Sequence, residues 1–268
     1  MEIPKTLKLT PKTPMTKVKN PIDGKVYFVF NVSDGQDNWS QRRSGYKYTK
    51  KNLIINGNTL CNTHTMGMGL IYAGYYDVFK TEIDAIYPEL PRLPDKLAKY
   101  LIEDKEILSY FKLRYPGFYK DFNDGVKNAT SANEIHNILS YGTNRFLNVG
   151  TVTYFSTNVP WKEIIYDLIY NRTAVGISGK FSGLNHIVCV VGVAYEYLED
   201  GDLPGEDQVP NFFIQDDPYG KTYEYYKGLS GNDIWIPFDK CVSDYKSLAN
   251  ANFKFAHRFV RPEHIGLI

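Results

Sequence analysis

The chain has 268 residues, 43% of them hydrophobic and 15% aromatic, with 22 Tyr and 15 Phe. A chain of this length can bury a large core as one elaborated or two-lobed domain, and its aromatic richness excludes an intrinsically disordered protein. Thirty-one basic against 30 acidic side chains leave a formal net charge of +1, so no bulk field draws it to nucleic acid or to an anionic membrane.

In chain order, residues 1–24 carry Pro4, Pro11, Pro14 and Pro21 among lysines and threonines, which predicts an extended surface arm. Residues 25–31 (KVYFVFN) alternate and are rich in β-formers, predicting a strand that enters the polar loop SDGQDNWSQRRSG. Asn58 and Thr59 are cap-type residues, and the apolar run MGMGLIYAGYY behind them predicts a central, buried helix starting near Thr59. Gly67 and Gly69 weaken that helix by about 1 kcal/mol each relative to Ala, which implies close packing against a neighbour.

Between residues 94 and 148 the pattern is helical, in DKLAKYLIEDKEILSYFKLRY, FYKDFNDGV and SANEIHNILSYGTNRFL, the last with Ser131 as cap and Glu134 three residues on. After Gly150 come the strand-like runs VTYF, TAVGISG, HIVCVVGVAYEYL, NFFIQD and NFKFAHRFV, with a helix PWKEIIYDLIY after the first. No repeat or low-complexity tract interrupts the series. The expectation is an α+β protein: one domain over 25–268, with a helical lobe at about 59–148 and a sheet lobe at about 150–268. No stretch approaches the roughly 18 apolar residues of a membrane helix and residues 1–20 lack a signal-peptide core, so a soluble chain made in the cytoplasm is expected.

Three cysteines are too few, and odd in number, for a disulfide framework, so each thiol is weighed alone. Cys61 opens the predicted buried helix, where unpaired N–H groups and the helix dipole favour a thiolate; a small buried hydrophobe is the plainer reading. His186 begins the run HIVCVVGV, at the accessible start of a strand, where a structural histidine is also at home. Asp217 ends a strand in FFIQDDPYG, held by Pro218, although Asp-Pro-Tyr-Gly is also an ordinary turn. Taken together, Cys61, His186 and Asp217 put a thiol on a helix N-terminus and its two partners on neighbouring strands, the layout a thiolate–imidazolium pair needs.

The segment CNTHTMGMGLIYAGYY resembles the nucleophile helix of papain-like cysteine peptidases related to the bacteriocin-leader (double-glycine) peptidases, with Cys61, Asn62, Thr65, Gly67, Met68 and Leu70 at matching places. GLNHIVCVVGV is similar to that family's histidine strand through His186 and Gly192, and IQDDPYG to its Asp-Pro strand end, with Asp217 rather than Asp216 in the matching position. The resemblance spans about residues 40–220. It departs from the family pattern at Asn185, where Gly usually precedes the histidine, at His64 inside the nucleophile motif, and at Asn62 in that Gly is the commoner residue there; none of these removes a catalytic atom. It implies a papain-like fold with an antiparallel sheet, and hydrolysis of amide bonds by a Cys61-His186-Asp217 triad without cofactor or metal.

WSQRRSG is similar to a segment upstream of the nucleophile in phage-type relatives, which implies Gln41 as an oxyanion donor; Asn58 is the nearer but shorter amide, and a solvated loop is the alternative. The phage-type likeness further implies the stem peptides of bacterial cell walls as substrate; the lack of an export signal fits a holin-released or virion-borne enzyme and equally a cytosolic peptidase. A non-catalytic peptide-binding module and an amidase or transglutaminase-type acyl transferase remain open.

Other signals are weaker. Cys61 and His64 have C-x-x-H spacing, but Cys189 and Cys241 supply no second pair for zinc. Cys189 reads as core, Cys241 as a partly buried helix residue, and His64 as a packing residue one turn past the nucleophile. The acidic stretch at 199–207 reads as an exposed hairpin extension with at most weak calcium affinity, and DGQDN lacks EF-hand spacing. His136, His257 and His264 carry no partner pattern, and the oligomeric state is not legible.

Overall fold

The sheet that organises the molecule draws strands from both ends of the chain. In the computed structural model, the described residues are 13–33, 44–90, 92–127, 129–131, 134–181, 184–197, 208–218, 233–245 and 252–266. Strands β1 (Met15–Lys19) and β2 (Val26–Asn31) form an antiparallel pair, so part of the proline-rich arm is extended as its composition predicts, but as an edge strand of the sheet. A small hairpin follows, β3 (Tyr48–Lys50) and β4 (Leu53–Ile55), which the sequence pattern did not suggest because each strand has three residues.

The helical lobe then runs through α1 (Cys61–Leu70), α2 (Tyr76–Ile86), α3 (Leu93–Glu103), α4 (Lys105–Arg114), α5 (Pro116–Asp124) and α6 (Glu134–Leu147). The long pattern expected as one helical stretch is cut at Asp104, whose carboxylate accepts from the N–H groups of Glu106 and Ile107 and so caps α4. Ser131 does not lead directly into α6; it belongs to a short 3-10 turn at Ala129–Ser131.

The remaining strands are β5 (Thr153–Pro160), β6 (Val175–Phe181), β7 (Leu184–Glu196), β8 (Phe212–Asp216), β9 (Ile234–Pro237) and β10 (Asn252–Phe259), with helices α7 (Trp161–Tyr166) and α8 (Phe238–Tyr245). The eight-stranded sheet runs β1-β2-β7-β6-β10-β5, with β8 on β7 and β9 on β8, and every pair is antiparallel. The architecture is α+β, and the helical lobe is inserted between strands of one sheet, since β2 pairs with β7 across it. Strand β7 makes this possible by its length. Residues 184–190 pair with β6 and residues 192–196 with β2, while β8 runs along its other edge past an irregularity between Val190 and Gly192. A Cβ on Gly192 would meet the Phe30 carbonyl oxygen at 2.5 Å, so glycine is needed where the two partners change over.

Helix α1 is the hinge of the packing. Met66 and Leu70 enter the core of the helical lobe, whereas Met68, with Ile71 and Tyr72 of the following π turn (Ile71–Tyr75), enters a core against the sheet. Burial from both sides explains why the segment is apolar all round rather than striped, and why every residue from Thr63 to Leu70 is buried. Of its two glycines only one is forced by contact: a Cβ at Gly69 would lie 2.1 Å from the Phe259 ring, whereas one at Gly67 would touch Pro94 at an ordinary 3.5 Å. A positive φ of 97° at Gly74 bends the chain between α1 and α2. Among the described residues no helix is long and apolar enough to cross a membrane.

Candidate active site

Cys61 is the first residue of α1 and is half-buried. The helix begins two residues later than the cap-type pair Asn58–Thr59 predicts, because Thr59 is used by a preceding turn. Its hydroxyl accepts from the Asn56 N–H (3.0 Å), and its own N–H donates to the Asn56 carbonyl (2.8 Å). The N-cap position falls to Leu60, which offers no side-chain cap. The backbone N–H of Cys61 consequently has no intrahelical acceptor and stands at the positive end of the helix.

The helix is fixed to the sheet one turn further on. The Thr65 hydroxyl donates to the carbonyl of Ile187 (3.2 Å), and Gly176 on β6 leaves the room, since a Cβ there would lie 2.9 Å from the Thr65 methyl. Thr65 is four residues after Cys61 and Ile187 is one residue after His186, so this single bond sets the nucleophile candidate against the imidazole. His186 hydrogen-bonds both Cys61 and Asp217, its Nε2 lying 2.8 Å from Asp217 Oδ1. With Nε2 engaged by the carboxylate, Nδ1 is the ring nitrogen left for the sulfur.

Asp217 follows directly on β8 and its side chain is fully buried, against 8% exposure for that of His186. Asp216, one residue earlier, serves different partners, accepting from the Tyr72 hydroxyl and from the Asp233 N–H (2.8 Å). Strand alternation sends the two side chains to opposite faces, which is how adjacent aspartates avoid sharing one site. Burial pulls the His186 pKa down, but hydrogen bonding and attraction to Asp217 and Cys61 outweigh it and carry the ring up to about 10. His186 is an imidazolium at neutral pH.

Three of the four expected site residues are therefore brought together by the fold. Gln41 lies outside the described residues, as do DGQDN and the acidic stretch at 199–207. Asn58 is exposed in the turn before α1, its own N–H donating to Asn56 Oδ1 (2.9 Å). Asn62, noted in the sequence only as a variant motif position, places its Oδ1 3.8 Å from the Cys61 sulfur.

Beneath the nucleophile candidate, His64 is fully buried and its Nδ1 lies 2.9 Å from the Leu60 carbonyl, to which it donates. Its Nε2 stands 3.7 Å from Asp95 Oδ1. This is not an ion pair: burial lowers the His64 pKa to about 4, outweighing the pull of Asp95, and the ring is neutral at neutral pH. The Asp95 carboxylate is met instead by the Ser44 hydroxyl (2.5 Å) and the Gly45 N–H (2.9 Å), tying α3 to the segment before β3. Among the described residues no group of three or more His, Cys, Asp and Glu side chains could hold a metal.

The other thiols are sealed. Cys189 on β7 is fully buried, and burial together with Asp216 pushes its thiol well above the usual range. Cys241 on α8 is also wholly buried, more deeply than its sequence pattern suggests. His136 and His257, to which the sequence assigned nothing, meet in the core with Nδ1 of one 2.7 Å from Nε2 of the other, and burial keeps both neutral.

Neither protein-family models, nor curated proteins, nor solved structures match the chain.

Proposed function

We propose that the protein is a cysteine hydrolase of papain-like architecture that cleaves amide bonds through Cys61, His186 and Asp217. The observation that carries this reading is the continuous hydrogen-bonded series from a half-buried sulfur at an uncapped helix N-terminus, through a charged imidazole, to a buried carboxylate. The Cys61 sulfur attacks the amide carbonyl carbon; a C–S bond forms and the carbonyl π pair moves to oxygen. The Cys61 N–H faces that oxygen as one donor of an oxyanion site, and Gln41 is proposed as a second. When the intermediate collapses, the C–N bond breaks and the leaving amine takes the proton from His186. Water then attacks the thioester, losing a proton to His186; the C–S bond breaks, the acid leaves, and the starting sulfur–imidazolium pair is restored. Asp217 holds Nε2–H throughout, so the ring presents Nδ1 to the sulfur.

The stem peptides of bacterial cell walls are the substrate class that the family likeness implies, and we propose them as the first substrates to test. Purified walls should release peptides, identified by mass, with the wild-type chain and none with Cys61→Ala, whose fold should persist. Undiminished release by Cys61→Ala would overturn the assignment of the nucleophile. Independently of substrate, iodoacetamide at pH 6.5 should modify Cys61 before Cys189 or Cys241, and at least roughly tenfold faster than a cysteine in an unstructured peptide. A Cys61 no faster than that peptide cysteine would argue for a binding module.

A further inference from the structure

The peptide unit that joins Leu60 to Cys61 ends in the N–H proposed to face the oxyanion, and its other end, the Leu60 carbonyl, is gripped by three donors. The backbone N–H of His64 donates to it (3.0 Å), as in any first helical turn, and so does the Thr63 hydroxyl (3.1 Å), a common local back-bond. The third donor is the His64 ring, whose Nδ1 stands 2.9 Å from the same oxygen. Helical side chains lean toward the preceding turn, which is how residue 64 reaches the carbonyl of residue 60. The short contact also fixes the tautomer, since a bare Nδ1 would set its lone pair against the carbonyl oxygen. A carbonyl oxygen has two lone pairs, so the backbone and Thr63 already satisfy it. The ring adds something the helix does not need.

His64 is fully buried, and its Nε2 has no hydrogen-bond partner among the described residues; Asp95 Oδ1 stands 3.7 Å away, beyond hydrogen-bond reach. An apolar side chain would fill this place without leaving a buried polar atom unmet. The one hydrogen bond the ring does make, to the Leu60 carbonyl, is therefore what an imidazole supplies here and a leucine would not. That bond acts on the far end of the same peptide. The unit is planar with partial double-bond character, so donors on its oxygen fix the direction of the Cys61 N–H and draw charge from it, which strengthens it as a donor.

We propose that His64 is a positioning residue of the hydrolase, aiming and polarising the Cys61 N–H through the Leu60 carbonyl so that this N–H meets the developing oxyanion; the inference rests on the hydrolase reading above. His64 also stands where the chain departs from the motif it resembles, so the device belongs to this sequence.

The test separates attack on a carbonyl, which uses the oxyanion donor, from attack on a saturated carbon, which does not. In the full chain, Cys61 is acylated by p-nitrophenyl acetate: the sulfur bonds to the carbonyl carbon, an oxyanion forms, and the C–O bond to p-nitrophenolate breaks. A second sample is alkylated by iodoacetamide, from which iodide leaves and no oxyanion forms. The acylation rate is that of the p-nitrophenolate burst absent from Cys61→Ala, and it is divided by the alkylation rate. Both reactions use the thiolate, so thiol ionisation cancels in the ratio. His64→Gln, whose amide lies one carbon too far out, should lower the ratio by roughly tenfold. His64→Asn, whose amide nitrogen can take the place of Nδ1, should recover most of it. Thr63→Val is nearly isosteric, removes another donor from the same oxygen, and should lower the ratio by roughly threefold, which keeps the test decisive if a His64 variant does not fold. A His64 that only packs would change both rates together or neither. An unchanged ratio in Thr63→Val or in folded His64→Gln, or equal ratios in the Gln and Asn variants, would overturn the positioning role and leave the hydrolase reading standing. A wild-type ratio no higher than that of an unstructured cysteine peptide, or a Cys61 that neither reagent modifies, would remove the hydrolase reading and this inference with it.

Discussion

Replacing Asp217 by Asn keeps the size of the side chain and removes its charge, which isolates what the carboxylate does for His186. The imidazole stands at about 10 against an ordinary 6.5, although burial alone pulls it the other way. At about 1.4 kcal/mol per pH unit, that displacement is roughly 5 kcal/mol in favour of the imidazolium, shared between Asp217 and Cys61. Loss of the buried charge partner should remove on the order of 3 kcal/mol of it and so lower the ring's pKa by about two pH units. The sign of the stability effect follows from the raised folded pKa. Stabilisation by this group is complete below about 6.5 and is lost as pH rises through about 10, because the folded state holds the proton more tightly across that window. The assay is a titration of the imidazole carbon–proton signals by NMR, with urea unfolding of both proteins from pH 6.5 to 9.5. The wild type should lose stability across this range while Asp217→Asn changes far less, and the His186 signal should titrate at lower pH in the variant. The reasoning is refuted if His186 titrates at the same pH in both. The other buried histidines do not confuse the reading, since His64 and His136 are held near 4 and burial holds His257 well below its ordinary value.

Two further outcomes test the packing and its charge states. Gly69→Ala drives a methyl to within 2.1 Å of the Phe259 ring and should cost about 1–3 kcal/mol, seen as a fall in Tm, whereas Gly67→Ala, with Pro94 at 3.5 Å, should gain up to about 1 kcal/mol; equal effects would refute the packing argument. Below pH 6.5 the unfolded chain takes up protons that burial denies to His64, His136 and His257, so the urea midpoint should fall as pH drops toward 4, and His136→Gln should flatten that decline; an unchanged slope in the variant would refute it.

The elements that carry the site were legible because each has a local cause. The apolar run behind Cys61, the β-branched run after His186 and the proline after Asp217 specify a helix, a strand and a strand end without reference to anything distant. What escaped were features decided between segments. The hairpin of β3 and β4 and the strand β9 are too short for a periodicity to register, and exist because partners pair with them. The start of α1 moved to Cys61 because Thr59 is engaged by the turn before it, a competition among hydrogen bonds that cap preferences do not resolve.

From the sequence alone came the α+β class, the buried character of α1 and the three residues of the proposed triad, since composition, spacing and motif act along the chain. Only the tertiary structure decided that the first strands belong to the same sheet as the last, that Thr65 locks α1 to β7, and that Asp216 serves Tyr72 while Asp217 serves His186. Those outcomes depend on hydrogen bonds and packing between residues tens to more than a hundred positions apart, where the nearest neighbour in space is not written in the neighbouring letters.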